Sequence, residues 1–342
     1  MFPYMINNRD IKLYAHNPSN YKLYIFPIHG LTIKDNTIIN IGNVEFLSKE
    51  HLTNSLNNIG FVSNIINEMR DTQTFAVVDL EKYGDIEGIC SDGNNSLALQ
   101  IVKQAIGGIY IAIYKNNNSK LDYEKRIIIS TNNRHEVDDG LVSYFECNAN
   151  DKQIQIRRNV SPDYLCIAID QVYLASIKDI QDLFTIKIKD RSKYQLKLLK
   201  SLELLYATYN KIYTNERIFK FAMIVNHIFH NSLVSAKQYN SKYIGGKIRI
   251  LFDIILKKKS ELRKVAFIFN DIYERLRNNP LHGELMPYEE VCLINYTDYI
   301  PLKKIVMETL IILIEDNNMN KLKNTEEVIS YLESKQNEVK KH

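Results

Sequence analysis

The sequence lacks the features that mark several classes of protein. Trp is absent, and the four cysteines stand far apart with no Cys-x-x-Cys pair: Cys90, Cys147, Cys166 and Cys292. That spacing excludes a zinc ribbon and gives no sign of a disulfide scaffold. No run approaches the ~18 uninterrupted apolar residues of a membrane helix. The N-terminal residues contain no apolar core of a secretory signal, and no repeat of fixed period is present. We therefore expect a cytoplasmic protein.

Length and composition are those of a folded, water-soluble chain. The sequence has 342 residues, of which 45% are hydrophobic and 25% are charged. These proportions are ordinary for a globular protein and argue against wholesale disorder. At roughly 100–200 residues per domain, the length predicts two domains.

The first part of the chain, residues 1–190, has the pattern of short strands separated by polar turns. We predict one helix over 48–69 and two hairpins, which join 31–33 to 37–39 and 144–147 to 153–157. The fold class predicted for the chain is α+β, and this β-rich N-terminal domain is expected to be an antiparallel sandwich or an open barrel. The predicted strands lie at 21–28, 31–33, 37–39, 75–80, 98–102, 109–114, 144–147, 153–157 and 164–169.

After residue 190 the apolar period becomes helical, and residues 191–342 are predicted to form an α-helical bundle. The first helix carries one apolar stripe, Leu198, Leu202, Leu205 and Tyr209. The second begins at Thr214 or Asn215, extends to about residue 235 and is apolar nearly all round, which predicts a central position. Further helices are predicted at 248–256, from Ser260, from about Pro301 to 315, and from Asn324, where Asn324-Thr325-Glu326-Glu327 has capping-box spacing.

The two parts differ in charge. Residues 191–342 contain 25 Lys and Arg against 17 Asp and Glu, a net charge of +8, whereas residues 1–190 contain 19 against 23, a net charge of −4. A basic helical part indicates a polyanionic partner. The alternative is that these lysines are ordinary solvated side chains on helix faces.

One segment of the helical part carries residue types suited to phosphodiester chemistry. Arg277 is followed directly by Asn278, and His282 comes five residues after the arginine. A helix places such residues about one turn apart. Imidazole transfers protons near neutral pH, and guanidinium holds a phosphate through two hydrogen bonds. The alternative interpretation is a surface arginine and a histidine at a helix end.

The segment Arg277-Asn278-Asn279-Pro280-Leu281-His282-Gly283 resembles the Arg-polar-x-x-x-His-Gly motif of Apea-like HEPN domain proteins. The resemblance extends over about 195–340, with helices before and after the motif. Residues 26–31 and 40–44 also resemble the β-rich N-terminal region of such two-domain proteins.

The resemblance implies a bacterial anti-phage endoribonuclease of the abortive-infection kind. HEPN bundles dimerise with their motifs facing each other, and they cleave RNA by attack of the 2′-OH without a metal or cofactor. Carried over by residue, His282 is the general acid and base, Arg277 clamps the phosphate, and Asn278 orients the phosphate or the imidazole. Arg275, six residues before His282, is the alternative arginine.

The same resemblance assigns the N-terminal domain a role as sensor or regulator that responds to a phage-derived trigger. The competing hypothesis is a non-catalytic HEPN module that serves for dimerisation or RNA binding. An intact set of Arg277, Asn278 and His282 favours the enzyme, because a purely structural bundle does not need it.

The sequence evidence for the other candidate sites is weaker. His227 and His230 have a helical spacing that suits a metal, but core or interface histidines explain them better, because no nearby Asp, Glu or Cys completes a site. The ionisable loop at 134–140 is interpreted as solvated. Gly107-Gly108 precedes the expected strand at 109–114 and has no phosphate-loop pattern after it.

Overall fold

The chain divides into two compact units, Met1–Lys189 and Asp190–His342. The computed structural model describes residues 23–34, 38–58, 74–83, 91–117, 126–129, 143–148, 153–158, 167–170, 174–210, 214–229, 296–316, 318–319 and 321–340. The first unit combines strands and helices, and the regular elements described in the second are helices, apart from a short 3₁₀ turn at its start. The predicted α+β class is confirmed.

A five-stranded antiparallel sheet organises the first unit, in the order β3-β4-β5-β1-β6. Ile28, Phe46 and Ala76 are among its fully buried side chains. The predicted strands at 21–28 and 75–80 are confirmed as β1 and β5. The strands of this sheet are β1 (Leu23–His29), β3 (Ile39–Ile41), β4 (Val44–Ser48), β5 (Thr74–Asp79) and β6 (Ile128–Ile129).

Two smaller strand pairs accompany the sheet. The hairpin predicted at 144–157 is confirmed, since β7 (Ser143–Asn148) pairs antiparallel with β8 (Gln153–Arg158). The hairpin predicted between 31–33 and 37–39 is wrong. Strand β2 (Leu31–Ile33) instead pairs in parallel with β9 (Ile167–Ile169), and β3 pairs with β4. Both apolar residues of β2 are buried, so long-range packing, not the nearest turn, determines its partner.

The turn between β3 and β4 requires glycine. Gly42 has a φ of +57°, and a Cβ atom built on it would lie 2.2 Å from Cβ of Phe184. Non-glycine residues seldom adopt that backbone region, and the side chain of Phe184 already fills the space. Gly42 thus fixes the approach of helix α3 (Lys178–Thr185) to the edge strand.

A long helix, α2 (Ser91–Asn117), packs against β1, β4 and β5. The strands predicted at 98–102 and 109–114 are therefore wrong, because both lie inside this helix. In the part of the chain that the structure describes, the long element packed on the large sheet is a helix, which corrects the expected antiparallel sandwich or open barrel. Helix α1 (Lys49–Asn58) confirms the start of the helix predicted over 48–69, and residues 59–73 lie outside the described ones.

From Ala98 onward most residues of helix α2 are apolar and buried, which makes it a core helix. Its segment Ser96–Asn116 has the length and hydropathy of a membrane span, but most of this stretch is buried inside the protein. Gly107 and Gly108 lie within the helix. A Cβ atom on Gly108 would come 3.3 Å from Cγ2 of Ile180, so the missing side chain lets α3 pack closely on α2.

Four described helices form the second unit, and α5 (Thr214–Phe229) contacts the other three. Its predicted central position is confirmed. The predicted stripe of α4 (Lys193–Tyr209) is buried at all four positions. The third helix, α6 (Tyr296–Glu315), begins before Pro301, so the proline lies inside the helix and its predicted place at the start is wrong. Close to the N-terminus a proline removes only one helical hydrogen bond, which the packing of α6 tolerates.

The predicted start of the last helix, α7 (Thr325–Lys340), is confirmed. The side-chain oxygen of Asn324 accepts a hydrogen bond from the backbone N–H of Glu327 at 2.9 Å. The Glu327 carboxylate accepts one from the backbone N–H of Lys323 at 2.8 Å. The helices predicted at 248–256 and from Ser260 lie outside the described residues.

Candidate functional site

The residues predicted to carry the chemistry all lie between α5 and α6 in the sequence. Arg277, Asn278, His282 and the alternative Arg275 fall within 230–295, outside the residues that the structure describes. The described residues of the second unit belong to the helices that precede and follow this segment in the chain.

A buried aromatic group joins three of those helices. Phe221 of α5 is fully buried, and its ring centroid lies 6.1 Å from that of Tyr209 in α4 at an interplanar angle of 86°. The Phe221 centroid also lies 5.8 Å from that of Tyr299 in α6. Such edge-on and tilted pairs direct the positive ring edge toward the negative ring face. Phe221 thus joins α4, α5 and α6 in one core.

Two cations are buried in the same helices. The Nζ atom of Lys303 lies 6.0 Å from the centroid of the Tyr209 ring. Lys303 is 5% exposed and Arg217 is 2% exposed. Each cation lies four residues from an aromatic of its own helix, Arg217 from Phe221 and Lys303 from Tyr299, and so shares a helix face with it.

Burial makes these cations structural groups, not substrate contacts. Lysine and arginine are seldom fully buried, because desolvation of the charge is costly and an aromatic face recovers only part of that cost. At exposures of 2% and 5%, Arg217 and Lys303 belong to the buried core of the described helices. Sequence reasoning missed both residues. A lysine at position 303, between apolar positions of α6, was the available signal.

Asn210 at the C-terminal end of α4 is a third unforeseen polar residue. Its backbone N–H donates to the carbonyl of Tyr206 at 3.2 Å. Its side chain is 7% exposed, and neither the amide nitrogen nor the amide oxygen has a hydrogen-bond partner among the described residues. A buried amide without partners destabilises a fold, so packing alone does not account for asparagine here.

Of the remaining candidate sites, some lie within the residues that the structure describes and some lie outside them. His227 lies half-buried on α5, whereas His230 lies outside the described residues. No group of three or more His, Cys, Asp or Glu residues suited to a metal ion occurs among the residues described. Gly107 and Gly108 lie within α2, where Gly108 serves the packing of α3. The ionisable loop at 134–140 lies outside the described ranges.

Comparisons of this chain with protein-family models, with curated proteins and with solved structures gave no match.

Proposed function

We propose that the chain is a metal-independent endoribonuclease of the HEPN type that acts in bacterial anti-phage defence by abortive infection. The single observation that carries the proposal is the Arg277-Asn278 pair followed by His282 in a basic helical part of the chain. Two features support it. The described core of this unit is helical, and its net charge of +8 favours a polyanionic substrate.

The proposed reaction uses the 2′-hydroxyl of the RNA as the nucleophile. The imidazole of His282 takes the 2′-OH proton, the 2′ oxygen bonds to phosphorus, and the bond from phosphorus to the 5′ oxygen breaks. A protonated imidazole then gives its proton to the leaving 5′ oxygen. The guanidinium of Arg277 holds the phosphate oxygens as charge develops on them. The products are a 2′,3′-cyclic phosphate and a 5′-hydroxyl end.

We further propose that two chains form one active site. A single arginine and histidine make a sparse site for both proton transfers. A twofold dimer through the helical domain would bring two His282 side chains together, one as base and one as acid. Light scattering of the full chain at micromolar concentration tests this proposal. A dimer is expected, and a monomer alone would contradict it.

The first unit is proposed as the sensor or regulator of the nuclease. A described sheet and core helix of its own support a separate role for it. The proposed trigger is phage-derived. The proposal predicts that the trigger raises RNA cleavage by the full chain, and cleavage measured with and without phage-infected cell extract tests it.

An RNase assay in EDTA on the full chain tests the activity directly. Wild type is expected to cut RNA and to leave DNA intact, because DNA lacks the 2′-OH. The variants His282→Ala and Arg277→Ala should each lose cleavage, by ~10²–10⁴-fold for the proton-transfer group. Arg277→Lys should restore little, since a point charge does not replace the bidentate fork. Arg275→Ala is the matched control and should remain active.

Each result has a defined meaning. Loss of activity in Arg275→Ala but not in Arg277→Ala would move the arginine of the motif to position 275. Cleavage that requires a divalent metal would refute the proposed chemistry. RNA binding by wild type without cleavage, and without any effect of His282→Ala, would favour the non-catalytic HEPN module for dimerisation or RNA binding.

A further inference from the structure

Three lysines of the second unit are exposed and unpaired at one place on its surface. Lys193 is the first residue of α4, and Lys321 and Lys323 lie in the turn before α7. All three side chains are exposed, and within the described residues none of their ammonium groups makes a hydrogen bond or an ion pair. Among the described lysines of the second unit, Lys200 and Lys335 differ, since Lys200 pairs with Glu203 and Lys335 pairs with Glu338.

Backbone and side-chain hydrogen bonds hold these two segments together. The backbone N–H of Tyr194 donates to the carbonyl of Lys323 at 3.1 Å. The Ser192 hydroxyl donates to the carbonyl of Leu322 at 3.1 Å. The ammonium group of Lys197 donates to the hydroxyl of Thr325 at 2.7 Å. Lys193, Lys321 and Lys323 therefore belong to one fixed surface, which we call the lysine surface.

Two nearby carboxylates, those of Asp316 and Glu327, accept hydrogen bonds from backbone groups. Asp316 accepts hydrogen bonds from the backbone N–H groups of Asn318 and Met319, at 2.8 and 3.1 Å. Glu327 accepts from the backbone N–H of Lys323. Glu326 is half-buried beside Lys197, and its charge counters the effect of burial, which lowers the pKa of the Lys197 ammonium. Asp190, which lies two residues before the cap residue Ser192 of α4, is exposed.

Two helix N-termini add to the positive field. Helices α4 and α7 both begin at this surface, and each N-terminus carries about half a positive charge from its unpaired N–H groups. Three ammonium groups with free donors, beside these termini, suit a row of phosphodiesters better than a neutral ligand. Lysine is a point charge and requires no particular orientation of the phosphate, so such contacts fix position and carry no sequence preference.

We infer that the lysine surface binds the phosphate backbone of single-stranded RNA away from the scissile bond. The inference rests on the proposed nuclease function, which it extends from the reacting residues to the surface that holds the rest of the substrate. Contacts of this kind raise affinity without entering the chemical step, so their loss should act on KM and leave kcat unchanged.

The test measures RNA binding and its salt dependence in the full chain. Fluorescence anisotropy of a labelled 20-nucleotide RNA, on the cleavage-deficient His282→Ala background, gives the affinity between 50 and 200 mM salt, a range in which phosphate contacts weaken steeply. Replacement of Lys193, Lys321 and Lys323 by Gln should make the plot of log affinity against log salt shallower by ~2, at ~0.7 per lost phosphate contact on a single strand.

The matched control removes the same number of charges from ion pairs. Replacement of Lys34, Lys200 and Lys335 by Gln, each paired with a carboxylate in the structure, should leave the slope almost unchanged. An equal loss in the control would show that only total charge matters and would overturn the inference. An unchanged salt-dependence slope in the lysine-surface variant would also overturn the inference. It would favour an acidic protein as the partner of these lysines.

The kinetic arm separates this inference from the proposed function. With catalytic residues intact, the lysine-surface variant should cut a long RNA with a raised KM and an unchanged kcat, and should cut a dinucleotide like wild type. A wild-type chain that binds RNA through the lysine surface but never cuts it would refute the nuclease and leave the inference standing. If wild type and the lysine-surface variant cut RNA with identical KM, the inference would be refuted and the proposed nuclease function would stand.

Discussion

Removal of the Phe221 ring should destabilise the helical unit more than any other single truncation of its described aromatic group. Phe221 is fully buried and contacts Tyr209 and Tyr299 of two other helices. Truncation of a buried phenylalanine to alanine costs about 3–5 kcal/mol. Of this cost, the two ring pairs account for about 1–3 kcal/mol. Typical domains have only about 5–15 kcal/mol of stability in total.

The expected change is large enough to measure by thermal unfolding. At about 2–4 °C per kcal/mol for a unit of this size, the Tm of Phe221→Ala should fall by roughly 6–20 °C. Phe221→Leu keeps most of the volume and loses the ring pairs, so its loss should be about 1–2 kcal/mol. The probe is circular dichroism, in the far ultraviolet and at tyrosine wavelengths, because the chain has 22 tyrosines and no Trp.

Phe219 supplies the matched control on the same helix. It lies two residues before Phe221 and is only half-buried, so Phe219→Ala should lose much less, about 1.5 kcal/mol or below. Equal losses in the two alanine variants would refute the assignment of Phe221 as the residue that joins α4, α5 and α6. A loss below about 1 kcal/mol in Phe221→Ala would refute it as well.

Three further substitutions test other parts of the fold. Gly42→Ala should lower the Tm by several degrees, because alanine at a φ of +57° is strained and its Cβ would lie 2.2 Å from Phe184. Ser192→Ala, which removes the capping box with Gln195 and the hydrogen bond to the Leu322 carbonyl, should cost about 1 kcal/mol in urea unfolding, and Ser192→Thr, which keeps the hydroxyl, should recover most of it. Burial raises the pKa of Tyr194 above its ordinary value of 10.0. Only the unfolded chain then ionises this phenol as pH rises above 10, so wild type should lose stability there relative to Tyr194→Phe. At pH 7 the Phe variant should be at least as stable, because the buried hydroxyl has no hydrogen-bond partner in the described part of the chain.

Local periodicity predicted the elements whose burial follows from the sequence alone. The alternation in 153–157 gave strand β8 and its hairpin, and the apolar stripe from Leu198 to Tyr209 gave the buried face of α4. Local periodicity did not predict the partner of strand β2. The partner of β2 lies more than a hundred residues away in the chain, and a turn signal next to a strand says nothing about so distant a neighbour.

The largest error in the fold prediction has a simple physical cause. A buried helix and a buried strand both present short runs of apolar residues, and periodicity does not separate them. Residues 98–114 are apolar almost throughout and too long for one strand. The pair Gly107-Gly108 lies inside α2, where Gly108 allows close packing of Ile180, and the length of the run was the better guide to the structure.

In the second unit, the sequence and the structure identified different groups of residues. Arg277 and His282 came from spacing and resemblance, because proton transfer and phosphate binding require particular residue types close together in the chain. The structure identified the buried polar residues Arg217, Lys303 and Asn210. The sequence did not, because burial of a polar group depends on neighbours that are distant in the chain. Substitutions in the two groups should therefore separate in their effects. Changes at Arg217 or Lys303 should lower the Tm in step with any loss of RNA cleavage, whereas His282→Ala should abolish cleavage at an unchanged Tm.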